Sequence, residues 1–381
     1  MTARQTGQPT PGPADQTAEQ QETGSALPVR ERDRTYFPRA WGITPYDYVQ
    51  SMMDAVAAFG LLHAAVKRGI FELLSNEELT ADELAAACSA QPSYLWRVMN
   101  WLHANSFVAL RDDRYRLTDL GRGLTAAAER SQRDAVLVTG HPYWLRAIGD
   151  LDQTIVRGRP LPEDGLFPYP RLADDDELSY HFNRFMLSRS HAIGVKIAAL
   201  DDYAHVRTVC DIGGGLGGIL AKILHAHPHV TGVLLERPEV AEDADAYLSG
   251  HDLADRVKVI AGDMFDGIPA ADRYLLSSVA HNLGDVNYLS LLTQLSQAMA
   301  ANDHADLLIA EGMLPSAPGR PSRWYDIDAR MMAMFPAGRV RSEDEHRRLL
   351  EHAGLRAVRS LMLPDDQTLL IAQHAPALIG S

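Results

Sequence analysis

Asp211-Ile-Gly-Gly-Gly-Leu-Gly-Gly218 is the stretch on which the fold turns. The apolar run 206–211 leads into it and the helical pattern 219–225 leaves it, so the glycines form the bend of a strand-turn-helix unit. Such a bend lets main chain approach a ligand closely, and the helix start offers free amides to a carboxylate or phosphate. Gly213, Gly215 and Gly218 also satisfy the dinucleotide spacing G-x-G-x-x-G, and Glu236, about 20 residues on, suits ribose hydroxyls in either case. Two further carboxylates tilt the choice. Asp211, directly before the glycines, suits an ammonium group, and Asp263 in Gly262-Asp-Met-Phe265 suits an adenine amine. Acids around the bend oppose a pyrophosphate and favour a cationic ligand such as S-adenosylmethionine.

Working outward, the apolar runs 231–236, 257–263, 274–279 and 306–311 alternate with helical stretches long enough for crossovers. This predicts an α/β domain, a parallel sheet covered by helices on both faces, to which 355–361 and 368–373 add two strands. Upstream the rhythm is helical. Met52, Met53, Val56, Phe59, Leu62 and Val66 recur at helical spacing, and Thr80-Ala-Asp-Glu83 reads as a capping box. Residues 107–110 and 115–118, joined by Arg111-Asp-Asp-Arg114, read as a hairpin. Helices followed by a small wing suggest a winged-helix unit, used here to pair with a second copy rather than to read DNA. The expected organisation is a disordered polar tail over 1–32, a winged-helix-like dimerisation domain over 33–135, linking helices and a pocket lid over 136–200 with a proline-rich loop at 160–170, and a cofactor-binding catalytic domain over 201–381.

The 381 residues exceed what one core usually supports, and 46% hydrophobic residues exclude disorder throughout. A net charge of -14 argues against nucleic acid and anionic lipid as partners. No apolar run approaches the 18 or more residues of a membrane span and no signal segment is evident, so the expected location is cytoplasmic. Cys88 and Cys210 lie in apolar surroundings, with neither a disulfide nor a metal site expected. His225, His227 and His229 read as a solvated turn, and Asp174-Asp-Asp-Glu177 as a solvated helix start.

With these motifs in place, the sequence resembles the dimeric small-molecule O-methyltransferases of the plant caffeate and bacterial polyketide type. The resemblance covers roughly residues 50–375. It rests on Gly69-Ile-Phe-Glu-Leu-Leu74, Tyr115-Arg-Leu-Thr-Asp-Leu-Gly121, Phe182-Asn183 with Met186, the glycine bend, Gly262 to Phe265, His281 with Asp285, and Ala310-Glu-Gly-Met-Leu-Pro315. It implies a Rossmann-like methyltransferase sheet with an antiparallel last strand and an N-terminal α-helical winged-helix dimerisation domain. By motif position it implies S-adenosylmethionine held by Ser190, Asp211, Gly213, Gly215, Glu236, Arg237, Asp263, Met264, Phe265 and Ser277. His281 falls at the general base, with Glu311 orienting it, and Trp144, Phe182, Met186, Asp328, Met331 and Phe335 fall at or near the acceptor pocket.

The chain departs from that pattern in four places. Ser277 stands where a lysine is usual, Asn282 where Asp is common, and Leu283 where a tryptophan is expected. Val340 stands where a second acid would face the histidine, so the sequence leaves Glu311 alone in that role, with Asp326 and Asp328 nearby as compensation. The expected activity is O-methylation of a phenolic or related aromatic metabolite by a homodimer, in the manner of antibiotic biosynthesis. The alternatives are C-methylation of an activated aromatic carbon, a cofactor-retaining hydroxylase, decarboxylase or cyclase, and a binding-only regulator.

Overall fold

A computed structural model describes residues 44–160, 168–317 and 322–375. The tail expected over 1–32 and residues 161–167 of the proline-rich loop lie outside the described residues. The chain divides into a unit ending at Gly60 and a larger one beginning at Leu61, and the site described below lies in the second.

Helix α1, Pro45–Lys67, opens the structure and leaves Val49, Met52, Met53 and Val56 exposed. One expectation is corrected here. The 22-residue stretch Tyr46–Lys67, whose most apolar 18-residue window has mean hydropathy 1.4, is long and apolar enough to cross a membrane by length and composition alone. Isolated polar residues such as Asp54 and His63 break the apolar run, which is why a search for unbroken runs passes over it. Helices α2, Ile70–Asn76, α3, Ala81–Ala87, and α4, Pro92–Ala104, follow. The capping box is present: the Thr80 hydroxyl accepts from the Glu83 amide at 3.2 Å and the Glu83 carboxylate from the Thr80 amide at 2.8 Å, which satisfies two free donors reciprocally. The wing is strands β1, Val108–Arg111, and β2, Arg114–Leu117, joined through Asp112 and Asp113 at φ 49° and 66°. Paired left-handed residues suit a two-residue hairpin because their twist matches that of the strands.

Next come α5, Asp119–Arg122, α6, Arg133–Thr139, α7, Pro142–Gly149, α8, Leu151–Arg157, α9, Tyr169–Ala173, and the long α10, Asp176–Ala198. Asp175 caps α10 by accepting from the Leu178 amide at 3.0 Å, as the acidic helix start predicts.

The larger domain is built on seven strands: β3, Thr208–Ile212, β4, Thr231–Glu236, β5, Val257–Ala261, β6, Arg273–Ser277, β7, Asp306–Gly312, β8, Leu355–Met362, and β9, Gln367–His374. Their order is β5-β4-β3-β6-β7-β9-β8, parallel from β5 to β7 and antiparallel at β9 and β8. Each strand expected from an apolar run is found. The run at 274–279 ends early at Ser277 because Ser278 adopts φ 58° and turns the chain.

Burial explains the continuous runs. Every residue of β7 is buried, as in a strand covered on both faces. One cover is α10 with α11, Gly218–Ala226, and α12, Pro238–Ser249, through Ile193, Leu220, Leu224 and Leu248. The other is α13, Asp285–Met299, with α15, Glu343–His352, through Leu291, Leu292, Leu295 and Leu350. Each such leucine contributes roughly 1.5–3 kcal/mol by leaving water. Between them in sequence, α14, Trp324–Met334, packs Trp324, Ile327 and Met331 with Trp144 of α7 and Leu172 of α9. Cys88 and Cys210 are buried free thiols.

The chain steps from β3 outward to β4 and β5, then returns to place β6 on the other side of β3. That reversal opens a crevice above the carboxyl ends of β3 and β6, where open α/β sheets take their ligands.

Candidate active site

The glycine bend leaves β3 at the crevice. Gly215 has φ 59°, which an L side chain rarely adopts. Gly218 leaves room for α10: a Cβ there would sit 2.4 Å from the Ser190 hydroxyl and 2.6 Å from the Leu187 side chain, so both side chains would have to shift. Ser190 thereby stands against the start of α11, its hydroxyl donating to the Leu187 carbonyl at 2.7 Å.

Asp211 is 1% exposed, and among the described residues neither of its carboxylate oxygens has a hydrogen-bond partner. Burial first, and the neighbouring Glu236 charge second, push its carboxyl up to about 7. Glu236 at the end of β4 is occupied: one oxygen accepts from the Gly215 amide and the other from the Arg237 amide, both at 2.8 Å. Burial still lifts its carboxyl above the ordinary range. A buried carboxylate without a donor, beside a bend open to close main-chain approach, fits the cationic amino-acid end of S-adenosylmethionine.

His281 lies in a single 3₁₀ turn, Ala280–Asn282, just past β6. Glu311 on β7 holds that turn with both oxygens: one accepts from the Ala280 amide at 2.8 Å and the other lies 2.6 Å from His281 Nδ1. Burial would raise the Glu311 carboxyl, but the His281 imidazole outweighs it and leaves the group below the ordinary carboxylate range. An ionised Glu311 only accepts, so Nδ1 carries the proton, and in the neutral imidazole Nε2 holds the lone pair.

Arg341 fixes the same turn from outside. It donates to the Ala280 carbonyl at 2.8 Å, the Leu283 carbonyl at 2.7 Å and Asp285 at 2.6 Å. Val340 is 1% exposed, and the structure assigns the nearby acid elsewhere: Asp328 accepts from the Val340 amide at 2.7 Å. Among the described residues, His281 has the one carboxylate partner Glu311. Behind it lies His346, whose Nδ1 meets the Tyr288 hydroxyl at 3.0 Å and whose pKa burial lowers to about 4.

One cavity gathers most of the residues named from sequence. Trp144, Phe182, Met186, Met331 and Phe335 line it together with His281. Ser190, Asp211, Gly213, Gly215, Glu236, Arg237, Met264 and Ser277 line it as well. Asp263, Phe265 and Asp328 do not. Asp263 is exposed and accepts from the Phe265 amide at 2.9 Å, Phe265 packs onto the core under α13, and Asp328 is engaged as above. A separate polar depression shares Ser190 and Gly218 but holds neither His281 nor Asp211.

Among the lining residues that the sequence does not point to are Tyr169, Arg189 and Arg330. Tyr169 had been read as part of a proline-rich loop. It begins α9, accepts from Asn282 at 2.8 Å, sets its ring 5.6 Å from that of Phe335 and lies under the Arg237 guanidinium at 4.3 Å. Burial pushes its phenol up to about 12. For the arginines the available signal was a cation beside Met331 and one three residues after Met186.

Of the histidine trio, His225 and His229 are exposed, as a solvated turn predicts, while His227 is half-buried. His227 Nε2 lies 2.8 Å from the Ala198 carbonyl and His229 Nε2 3.0 Å from that of Tyr203, so both also tie the end of α10 and its following turn to the segment before β4. No metal-like cluster occurs among the described residues.

Residues 157–356 match the O-methyltransferase domain model and 46–127 the O-methyltransferase dimerisation domain model. The chain is 32% identical over 305 residues to the mitomycin biosynthesis 6-O-methyltransferase of Streptomyces lavendulae, covering 79% of this chain and 86% of that one. It is 30% identical over 319 residues to the 3-amino-4-hydroxybenzoate 4-O-methyltransferase of Streptomyces cremeus, covering 82% and 85%. An O-methyltransferase from neocarzinostatin biosynthesis, solved with S-adenosylmethionine and 2-hydroxy-5-methyl naphthoic acid, superposes with TM-score 0.70 at 25% identity over 84% of this chain and 96% of that one.

Proposed function

The chain belongs to the O-methyltransferase family and is a methyltransferase; from that premise we propose that S-adenosylmethionine is its donor, that a hydroxyl on an aromatic metabolite is its acceptor, and that His281 is its general base. When bound, the donor supplies a methyl group already made electrophilic by a sulfonium. What the chain must add is alignment and removal of the acceptor proton. Asp211 receives the ammonium, Ser190 and the bend amides receive the carboxylate, and Glu236 takes the ribose. Asp263, exposed and with one oxygen accepting from the Phe265 amide, keeps its other oxygen for the adenine amine.

The observation that carries the assignment is the 2.6 Å contact of His281 Nδ1 with Glu311, made at the crevice edge within the cavity that also holds Asp211. The pair leaves Nε2 free to accept the acceptor's proton, and the buried Glu311 charge stabilises the imidazolium that results. The main-chain grip of Glu311 and Arg341 on Ala280 does the orienting that a second acid at position 340 would otherwise share. The relatives support transfer to oxygen over transfer to carbon or methyl-free chemistry, and antibiotic biosynthesis as its setting. The dimerisation domain supports a homodimer.

The test is methyl transfer from S-adenosylmethionine to 3-hydroxy-2-naphthoate followed by mass spectrometry. The expected product gains one methyl on oxygen, and His281→Ala lowers kcat roughly 10²–10⁴-fold. Full activity in His281→Ala, at a pH where the hydroxyl is not already ionised, refutes the base assignment.

A further inference from the structure

The cavity carries positive charge for which the reaction above has no use. Arg189 on α10 and Arg330 on α14 both line it, beside Met186 and Met331 respectively. Among the described residues neither forms an ion pair; the Arg189 guanidinium has only the Phe185 ring, 5.8 Å away. The acids that bear on Arg189 are Glu311 and Asp365, and both are engaged: Glu311 by His281 and the Ala280 amide, Asp365 by Arg130 at 2.7 Å. Burial, then the neighbouring charges of Arg323 and Arg330, lower the Arg189 pKa, so this end of the cavity is a crowded cation site. Arg189 and Arg330 are half-buried, and a partly desolvated guanidinium without an anion is unfavourable, with neighbouring cations adding repulsion.

We propose that Arg189 and Arg330 receive a carboxylate borne by the aromatic acceptor, so that the enzyme selects hydroxy-arene acids over neutral phenols. This rests on the methyltransferase reading and specifies its substrate class. The placement favours the acceptor over the donor's own carboxylate. Arg189 and Arg330 project from the two helices that carry the thioether and aromatic slot, whereas the Asp211 and Ser190 end of the cavity is served by the glycine bend. A planar guanidinium fork matches a carboxylate with two parallel hydrogen bonds, and the flat ring attached to it then lies between Met186 and Met331 with its hydroxyl free to face His281.

Calorimetry on the full chain saturated with S-adenosylhomocysteine tests this, with 3-hydroxy-2-naphthoate and its methyl ester as probes. The acid is expected to bind roughly 10–100-fold tighter than the ester, the usual value of charge-assisted bonds. Arg189→Met and Arg330→Met should each remove most of that ratio, Arg189→Lys should keep part of it, and unfolding temperatures report whether the variants fold. Equal binding of acid and ester, an unchanged ratio in both Met variants, or acid binding that S-adenosylhomocysteine displaces each overturns the proposal; the last would give the arginines to the donor's carboxylate. A chain that binds the acid through these arginines but takes up no S-adenosylhomocysteine instead overturns the methyltransferase reading and leaves the anion site standing.

Discussion

At Asp211 the folded chain holds a carboxyl at about 7, against 3.8 for an ordinary aspartate. Between those values the folded state keeps a proton that the unfolded state has lost, so rising pH destabilises the ligand-free fold, by at most about 4 kcal/mol across the window. Asp211→Asn removes this slope. It should raise the urea midpoint of the free protein near pH 8 and leave it nearly unchanged below pH 4. The same change should weaken S-adenosylhomocysteine binding, and native affinity should climb with pH up to about 7 as the carboxylate forms. A native stability curve that is flat from pH 4 to 7 would dispose of this account. The proximity of Asp211 to the glycines is plain in sequence; its lack of any partner is not, because that depends on β4 and β6 closing over it.

The elements owe their positions to burial rather than to propensity, and the sheet is pinned at its other edge by charge. Arg273 opens β6 and Asp306 opens β7; they are 1% and 5% exposed and meet through two hydrogen bonds of 2.8 and 2.7 Å. Asp202 adds a contact to the same guanidinium at 3.0 Å. Removing one member of such a pair leaves a buried charge uncompensated, so Asp306→Ala should cost about 3–5 kcal/mol in urea unfolding. A loss below 1 kcal/mol would mean that Asp202 alone satisfies Arg273. Strands β3 to β7 were legible because parallel strands covered on both faces must be continuously apolar. Asp263 and Asp328 lie outside the cavity lining, and each accepts a main-chain amide with one oxygen, a local use of an acid that its place next to a motif does not reveal.

At the scale of the whole molecule, α1 presents an exposed apolar face among the described residues. Val49, Met53 and Val56 are 55%, 56% and 76% exposed, and the dimerisation domain model begins at residue 46. A second copy is the proposed cover. Met53→Glu with Val56→Asp should shift sedimentation from dimer toward monomer and lower the unfolding temperature; a dimer that persists unchanged removes α1 from the interface.

Sequence alone determined the sheet, the glycine bend and the capping box, because each is written in local pattern; the pairing of His281 with Glu311 was implied only by the family resemblance. The tertiary structure decided the rest. Arg341 reaches Ala280 across 61 residues, and Arg189 and Arg330, far apart in the chain, enter one cavity only because α10 and α14 converge there. Neither helix shows this in its own periodicity, since a cation on a half-polar helix reads as solvent-facing until the packing of a distant element takes the water away.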